Sequence, residues 1–221
     1  LSVGACMNSY ESFTKLNPLF FNNRINPVDM SHVRENPSLY NFNNLAGFSS
    51  RGPTLDGRIK PEIVAPGEFI LSSRSHGLND SDLLYMRGTS MATPLVARCV
   101  AVVINKLQKV YKLQNPSAAL IKNILITSAI TMTGTVQDFY IDGDSNKARS
   151  HLSKHTIGIM DQGFGRINLY PILHGELLLY DRIIVTDYSK PLSYCFKVKE
   201  RINPLSIGMV YSDPAAFPGS R

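Results

Sequence analysis

The sequence predicts an α/β protein over residues 1–172 and the start of a second, all-β domain over 173–221. Three observations carry that expectation. Short apolar runs bounded by glycine, proline and serine alternate with two helical patterns in the first region. Beyond Leu173 the apolar residues fall into strand-like runs at hairpin intervals, with no helical period. The composition, 43% apolar and 18% charged, suits a chain that buries a core.

The first run, "LSVGA" at 1–5, reads as a short strand. From Asn8 to Asn44 nine asparagines and three prolines mix with aromatics without a sustained period, the texture of a long surface excursion. Regularity returns in "LAGFSSRGPTLDGRIKPEIVAPGEFILSS" at 45–73. There Gly52-Pro53 and Asp56-Gly57 are turn dipeptides, "EIVAPG" is a buried strand ending in a Pro-Gly turn, and "EFILSS" is another short strand. "RSHGLNDSDLLYM" then reads as a polar loop.

From Thr89 apolar residues recur at three- and four-residue steps (Ala92, Leu95, Val96, Cys99, Val100, Val103, Ile104), and most positions between them are apolar too. This predicts a helix of about five turns, buried nearly all round. Pro94 is tolerable in it near the first turn, where its missing N–H has no intrahelical partner. "PSAALIKNILITSAI" at 116–130 predicts a second helix with Ser117 as its cap. After a polar loop around "DGDSNKARS", Gly163 and Gly165 in "DQGFGRINLYPIL" frame a tight turn. A domain boundary is expected near Pro171 to Gly175, because "ELLLYDRIIVTDY", "LSYCFKVKE" and "LSIGMVYSD" beyond it all read as strands.

The net charge is +6, but the 23 basic residues are scattered and form no dense block, which argues against a nucleic-acid partner. The longest apolar stretch, Met91 to Ile104, is broken by Arg98 and falls short of the roughly 20 residues that cross a bilayer. No transmembrane segment is expected, and no basic-then-apolar leader opens the chain. Cys6, Cys99 and Cys195 are odd in number, with no CxxC pair, and Cys99 reads as a small core residue. Asp142, Asp144 and Asn146 alternate as calcium ligands do. An EF-hand loop would need Gly and Glu where Lys147 and Ser153 stand, so a solvated turn is the better reading. "NDS" at 79–81 is a glycosylation sequon with meaning only in a secreted protein.

The residues that carry chemistry are in "RGTSMATPLVAR" at 87–98. A serine before an apolar run is ordinarily a helix cap. A serine nucleophile makes other demands: a base to take its proton, and preorganised donors for the oxyanion that forms on the attacked carbonyl. A helix N-terminus supplies such donors directly, through free N–H groups at the positive end of the dipole.

"GTSMATPLVA" at 88–97 closely resembles the active-site serine segment of the subtilisin-like serine proteases, the subtilases. "SVGA" at 2–5, "FSSRGPTLDGRIKPEIVAPG" at 48–67 and "GFGRINL" at 163–169 resemble further landmarks of that family, in its order. The resemblance covers the chain to about residue 170. It implies a subtilisin-like parallel-sheet α/β fold, of which this is the C-terminal part, and hydrolysis of protein or peptide substrates through an acyl-enzyme. Ser90 would be the nucleophile, with its own N–H in the oxyanion hole. Thr89 would support that hole, Met91 would border the leaving-group side of the cleft, and Pro66 and Gly67 would be scaffold. No cofactor is implied for the chemistry. A structural calcium is left open without support from these residues, as are oligomeric state and a secreted or cell-surface location.

The family's Asp-Ser/Thr-Gly and His-Gly-Thr-His segments do not occur here. His32, His76, His151, His155 and His174 stand in unrelated contexts, and Asp142 follows Ser90, in the wrong order. The tail "INPLSIGMVYSDPAAFPGSR" at 202–221 resembles the strand and turn that open the β-sandwich domain appended to some members of the family, which implies a β-sandwich start over 173–221. Truncation is the economical explanation, with the base and its carboxylate before Leu1 and that β-sandwich cut short at Arg221, so this chain alone is expected to be inactive. Arg98 stands where the family has glycine, and a buried arginine would need a partner or a route to solvent. Two other readings compete. An α/β-hydrolase would need a hydrophobic strand directly before Gly88, and a non-catalytic pseudoprotease or interaction module would keep the fold without the triad.

Overall fold

The computed structural model describes residues 1–9, 11, 31, 35, 40–73, 83–142, 147–184, 190–198 and 205–211. Most of the asparagine-rich excursion, the sequon, His32, His76, Asp144 and Asn146 lie outside them. A five-stranded mixed sheet is built from β1 (Val3–Cys6), β2 (Leu45–Ala46), β3 (Ile63–Pro66), β6 (Thr135–Asp142) and β7 (Lys147–Thr156), in the order β3-β1-β2-β6-β7. β1 is parallel to β3 and antiparallel to β2, β2 is parallel to β6, and β6 and β7 form an antiparallel hairpin. A separate two-stranded hairpin joins β4 (Ile70–Ser73) to β5 (Leu83–Met86).

Side-chain alternation along the strands divides the core in two. Ala5, Ile63 and Ala65 face the long helix α1 (Thr89–Lys109), and pack with Ala92 and Val96. Cys6 and Val64 point the other way, into a cluster with Leu45, Met132, Val136 and Ile157. Farther along α1, Val103 and Leu107 pack with Leu120, Ile124 and Leu125 of α2 (Ala118–Thr127) and with Ile172 of α4 (Tyr170–His174). The expected α/β class is what the chain adopts.

Several local expectations hold for identifiable reasons. Ser117 caps α2 by accepting a hydrogen bond from the Leu120 N–H at 3.0 Å. At Gly163 (φ 62°) an added Cβ would stand 2.1 Å from the Pro61 carbonyl oxygen, and at Gly165 (φ 114°) 2.3 Å from that of Ile130. This close approach lets the 163–167 segment pair with the free edge of β3, Val64 N–H donating to Gly165 and Ile167 N–H to Val64, both at 2.9 Å. Gly163 follows the single-turn helix α3 (Ile159–Gln162).

Other expectations are corrected. α1 is not buried all round: its buried residues, Ala92, Val96, Val103 and Leu107, form one stripe, whereas Thr93, Ala97, Arg98 and Ala101 are exposed. The sheet, α2 and α4 cover that one side. Arg98 therefore pays no burial cost. α1 runs through 21 residues, longer than the apolar stretch read from sequence, and by length and composition such a helix could cross a bilayer. Here it lies along β1 and β3 as a core helix. The stretch before Gly88, read as a loop, holds strand β5, and the loop expected around "DGDSNKARS" includes the end of β6 and the start of β7, residues 143–146 lying outside the described residues. Cys99 is half-buried rather than in the core, with its thiol pushed up by burial against the opposing charge of Arg98.

The segments beyond residue 174 form no strand among the described residues. A strand is stable only as part of a ladder, and the described parts of these segments do not pair with one another. They are tied instead to the α/β body: the Asp181 carboxylate accepts from the Ser117 N–H and hydroxyl, Leu177 N–H donates to the Tyr111 hydroxyl, and Lys106, which also holds the carbonyls of Ile172 and Leu173 in α4, donates to that of Gly175.

One polar cluster holds the start of the sheet. Glu62, its side chain 8% exposed, accepts from the Ser2 N–H (2.5 Å) and hydroxyl (2.6 Å), from Lys60 (2.5 Å) and from Lys122 (2.8 Å). Burial by itself would raise the carboxyl, but Lys122, Lys60 and Ser2 outweigh it and hold Glu62 well below the usual carboxylate range. A carboxylate depressed in the fold contributes stability above its unfolded pKa of about 4.3, and that contribution is lost as pH falls through the folded value. Both lysines are about one-third exposed, so the ion pairs are partly screened. Glu62→Gln is expected to cost about 2 kcal/mol at pH 7. Urea melts should show the gap from the parent narrowing as pH falls below about 4.

Candidate active site

The site is set by two glycines that lie 21 positions apart in sequence and touch in space. Gly67 follows the last residue of β3, and its N–H donates to the Cys6 carbonyl at 3.1 Å. The Gly88 N–H donates to the Gly67 carbonyl at 2.8 Å. A Cβ at Gly67 would stand 2.6 Å from the Ala5 Cβ and 2.8 Å from the Gly88 carbonyl oxygen. The C-terminal ends of β1 and β3 thus fix where α1 begins, and Gly67 is the scaffold residue that sequence suggested.

Gly88, at φ 150°, is the N-cap of α1, with no side-chain capping bond. Its carbonyl receives the N–H groups of Met91 (3.0 Å) and Ala92 (3.4 Å). Those of Thr89 and Ser90 precede these bonds and have no acceptor within the helix, at the positive end of its 21 residues. Ser90, second in the helix, is exposed. It does not cap, so the ordinary reading of a serine before an apolar run fails on geometry. Thr89 is half-buried, and its carbonyl accepts from the Thr93 hydroxyl at 3.0 Å. Met91 is half-buried, its sulfur 3.6 Å from where a Gly88 Cβ would stand. Pro94 is the sixth residue of the helix, not in its first turn, so no N–H is available there for the Ser90 carbonyl.

The described histidines do not gather at Ser90. His174, at the end of α4, stacks on Tyr170 with ring centroids 4.7 Å apart. Its helix is held by Lys106, sixteen residues beyond Ser90 on α1, about 24 Å along the axis. His151 stands on the edge strand β7. His155 Nε2 lies 3.0 Å from Asp161 Oδ2, and Asp161 also accepts from the Gly158 N–H at 2.6 Å and faces Arg51 at 3.6 Å. Burial would raise Asp161, but Gly158, His155 and Arg51 together hold its carboxyl below the ordinary value. This His–Asp pair resembles half of a triad but sits beside residues 160–164, which bond Gly52 and Glu62 at the N-terminal end of β3. Ser90 is at the C-terminal end, about 13 Å along the strand. An open cleft of about 620 Å³, lined by residues 47–52 and Asp161, belongs to that remote end as well.

The hydrolase alternative is disfavoured by the same placement. A strand does precede Gly88, but β5 belongs to the exposed hairpin rather than the central sheet. No group of three or more metal-ligating side chains occurs among the described residues. Cys6, Cys99 and Cys195 are free, and burial, with Arg166 opposing, pushes the Cys6 thiol up to about 12, which leaves it inert.

Sequence reasoning passed over two residues at the glycine contact. Glu68 follows Gly67 and Arg87 precedes Gly88, so the hydrogen bond that joins the glycines brings the two charges together. Glu68 Oε1 lies 3.6 Å from Arg87 Nη1, with the glutamate side chain 2% exposed and the arginine 50% exposed. Their adjacency to glycines in the two most family-like blocks was the signal available.

The subtilase family model matches residues 1–170. The chain is 42% identical over 121 residues to the serine protease/ABC transporter B family protein tagD of Dictyostelium discoideum, covering 45% of this chain and 7% of that protein. It is 35% identical over 155 residues to tagB of the same organism, covering 60% and 8%. It is 37% identical over 127 residues to pyrolysin of Pyrococcus furiosus, covering 57% and 8%. The chain thus spans less than a tenth of the length of each of these relatives. With landmarks in order, a serine exposed at the head of the core helix and a family match over three-quarters of its residues, the chain belongs to the subtilase family of serine peptidases.

Proposed function

We propose that Ser90 is the nucleophile of a serine endopeptidase. Its Oγ attacks a peptide carbonyl as a base removes the hydroxyl proton. The tetrahedral intermediate expels the amine, which takes up that proton, and water then releases the acyl group from Ser90. The observation that carries this reading is the placement of an uncapping, exposed Ser90 on the first turn of α1, where two N–H groups have no acceptor within the helix. In this reading the Ser90 N–H donates to the oxyanion, Thr89 supports that donor from behind, and Met91 borders the leaving-group side. Substrates are proteins or peptides, and the chemistry needs no cofactor.

A base must reach Ser90; the three described histidines do not, and His32 and His76, outside the described residues, stand in sequence contexts unlike the family's, which supports the proposal that the 221 residues by themselves are inactive. That same observation favours a second reading, a non-catalytic module with the fold of a protease. The two part on one experiment. The protein translated from the complete open reading frame around this chain should react with a fluorophosphonate probe, and Ser90→Ala should abolish the labelling. Equal labelling of the variant overturns the nucleophile assignment, and absence of labelling in the parent favours the non-catalytic module. We further propose residues 1–172 as the C-terminal part of a peptidase domain and 173–221 as the start of a second, β-sandwich domain; the end of the family match at residue 170 supports the boundary.

A further inference from the structure

The contact between Gly67 and Gly88 is flanked on each side by a charge, and nothing in the peptide-bond chemistry proposed above uses either one. Glu68 is almost wholly buried, and Arg87 is the residue through which β5 hands the chain to the nucleophile helix. Among the described residues Glu68 Oε1 accepts no hydrogen bond, so its 3.6 Å pairing with Arg87 is electrostatic. The next residue, Phe69, is buried with φ 52°, a left-handed conformation that costs energy for a bulky side chain and persists only where packing enforces it. A buried carboxylate without full hydrogen bonding, beside a strained residue, does not serve stability.

We propose that Glu68 is a positioning residue for Ser90: its ion pair with Arg87 holds the chain at Arg87–Gly88 and thereby sets the backbone N–H and hydroxyl of Ser90. This rests on the reading of Ser90 as the nucleophile. The groups that act on Glu68 are Arg87, which favours its charge, and Asp138, which opposes it. Burial, the largest influence, pushes the carboxyl up to about 7. The clasp is therefore charged above neutral pH and uncharged below it.

Stability and reactivity should then move in opposite directions. A carboxyl whose folded pKa is raised contributes stability below its unfolded pKa, and that contribution is lost as pH rises through the folded value. Above neutral pH the ionised Glu68 thus weakens the fold while it orders the nucleophile.

The test uses Glu68→Gln and Arg87→Gln in the protein from the complete reading frame, with fluorophosphonate labelling rates from pH 5.5 to 8.5 and thermal melts at each pH. At pH 8.5 E68Q is expected to melt at or above the parent temperature and yet label about ten-fold more slowly. The ratio of parent to variant rates should fall toward one as pH drops below about 7. R87Q, altered at a half-exposed site, should show the same rate loss and pH dependence, and the double variant should be no slower than either single one. R87Q carries the test alone if E68Q does not fold. Unchanged rates at pH 8.5, or a loss that is independent of pH and accompanied by a lower melting temperature, overturn the proposal. If the parent is unlabelled or Ser90→Ala labels equally, the nucleophile reading fails and the clasp fails with it. Ser90-dependent labelling with an unaffected E68Q removes the clasp alone.

Discussion

Replacing Ser90 by alanine in the protein from the complete reading frame is expected to lower peptide hydrolysis by roughly 10⁶ in kcat, the magnitude of nucleophile removal in a serine protease. The physical reason is that, in the reading proposed above, the acyl-enzyme forms on the Ser90 hydroxyl and alanine leaves no oxygen there. KM should change little, because the hydroxyl is small and lies at an exposed position. Stability should not change beyond a few tenths of a kcal/mol: Gly88, not Ser90, caps the helix. Steady-state kinetics and a thermal melt on the same preparation check both halves. A loss of activity accompanied by a large fall in melting temperature would assign Ser90 to the fold rather than to the reaction.

Gly67→Ala is expected to have the second-largest effect, through position and not chemistry. The new methyl would meet the Ala5 Cβ at 2.6 Å and the Gly88 carbonyl oxygen at 2.8 Å. Neither is the end of a flexible side chain, so β1, β3 and the head of α1 must part. Overpacking of this kind costs about 1–3 kcal/mol. Because Gly88 is also bonded to Gly67, the shift passes directly to Ser90, and a displacement near 1 Å is enough for about a 100-fold loss of kcat. Labelling rates and urea melts measure the two effects, and a fully active G67A would show that the glycine contact does not set the nucleophile.

How much of this was legible in sequence depends on whether the cause is local. The cap at Ser117 and the tight turn at Gly163 and Gly165 follow from backbone preferences that a few residues dictate, and both were read correctly. The β6–β7 hairpin was not, because "KARSHLSKHT" has no apolar alternation and is held by its ladder to β6. The burial of α1 was overestimated for the converse reason: apolar residues surround the helix, and only the placement of the sheet, α2 and α4 decides which stripe is covered. The strands expected beyond residue 174 carry the right residue types, but strand formation needs partners that the described segments do not offer one another.

Sequence by itself determined the family and marked Ser90, because ordered motifs report residue identity at fixed spacing. Tertiary structure decided whether that serine caps or stands free, which histidines stay away from it, and that Gly67 and Gly88 meet. It also decided that Glu68 and Arg87, unremarkable apart from their glycine neighbours, form one charge pair, buried on the glutamate side, at the contact that leads into α1. Contacts between residues far apart in the chain depend on how strands and helices pack, and no local pattern records them.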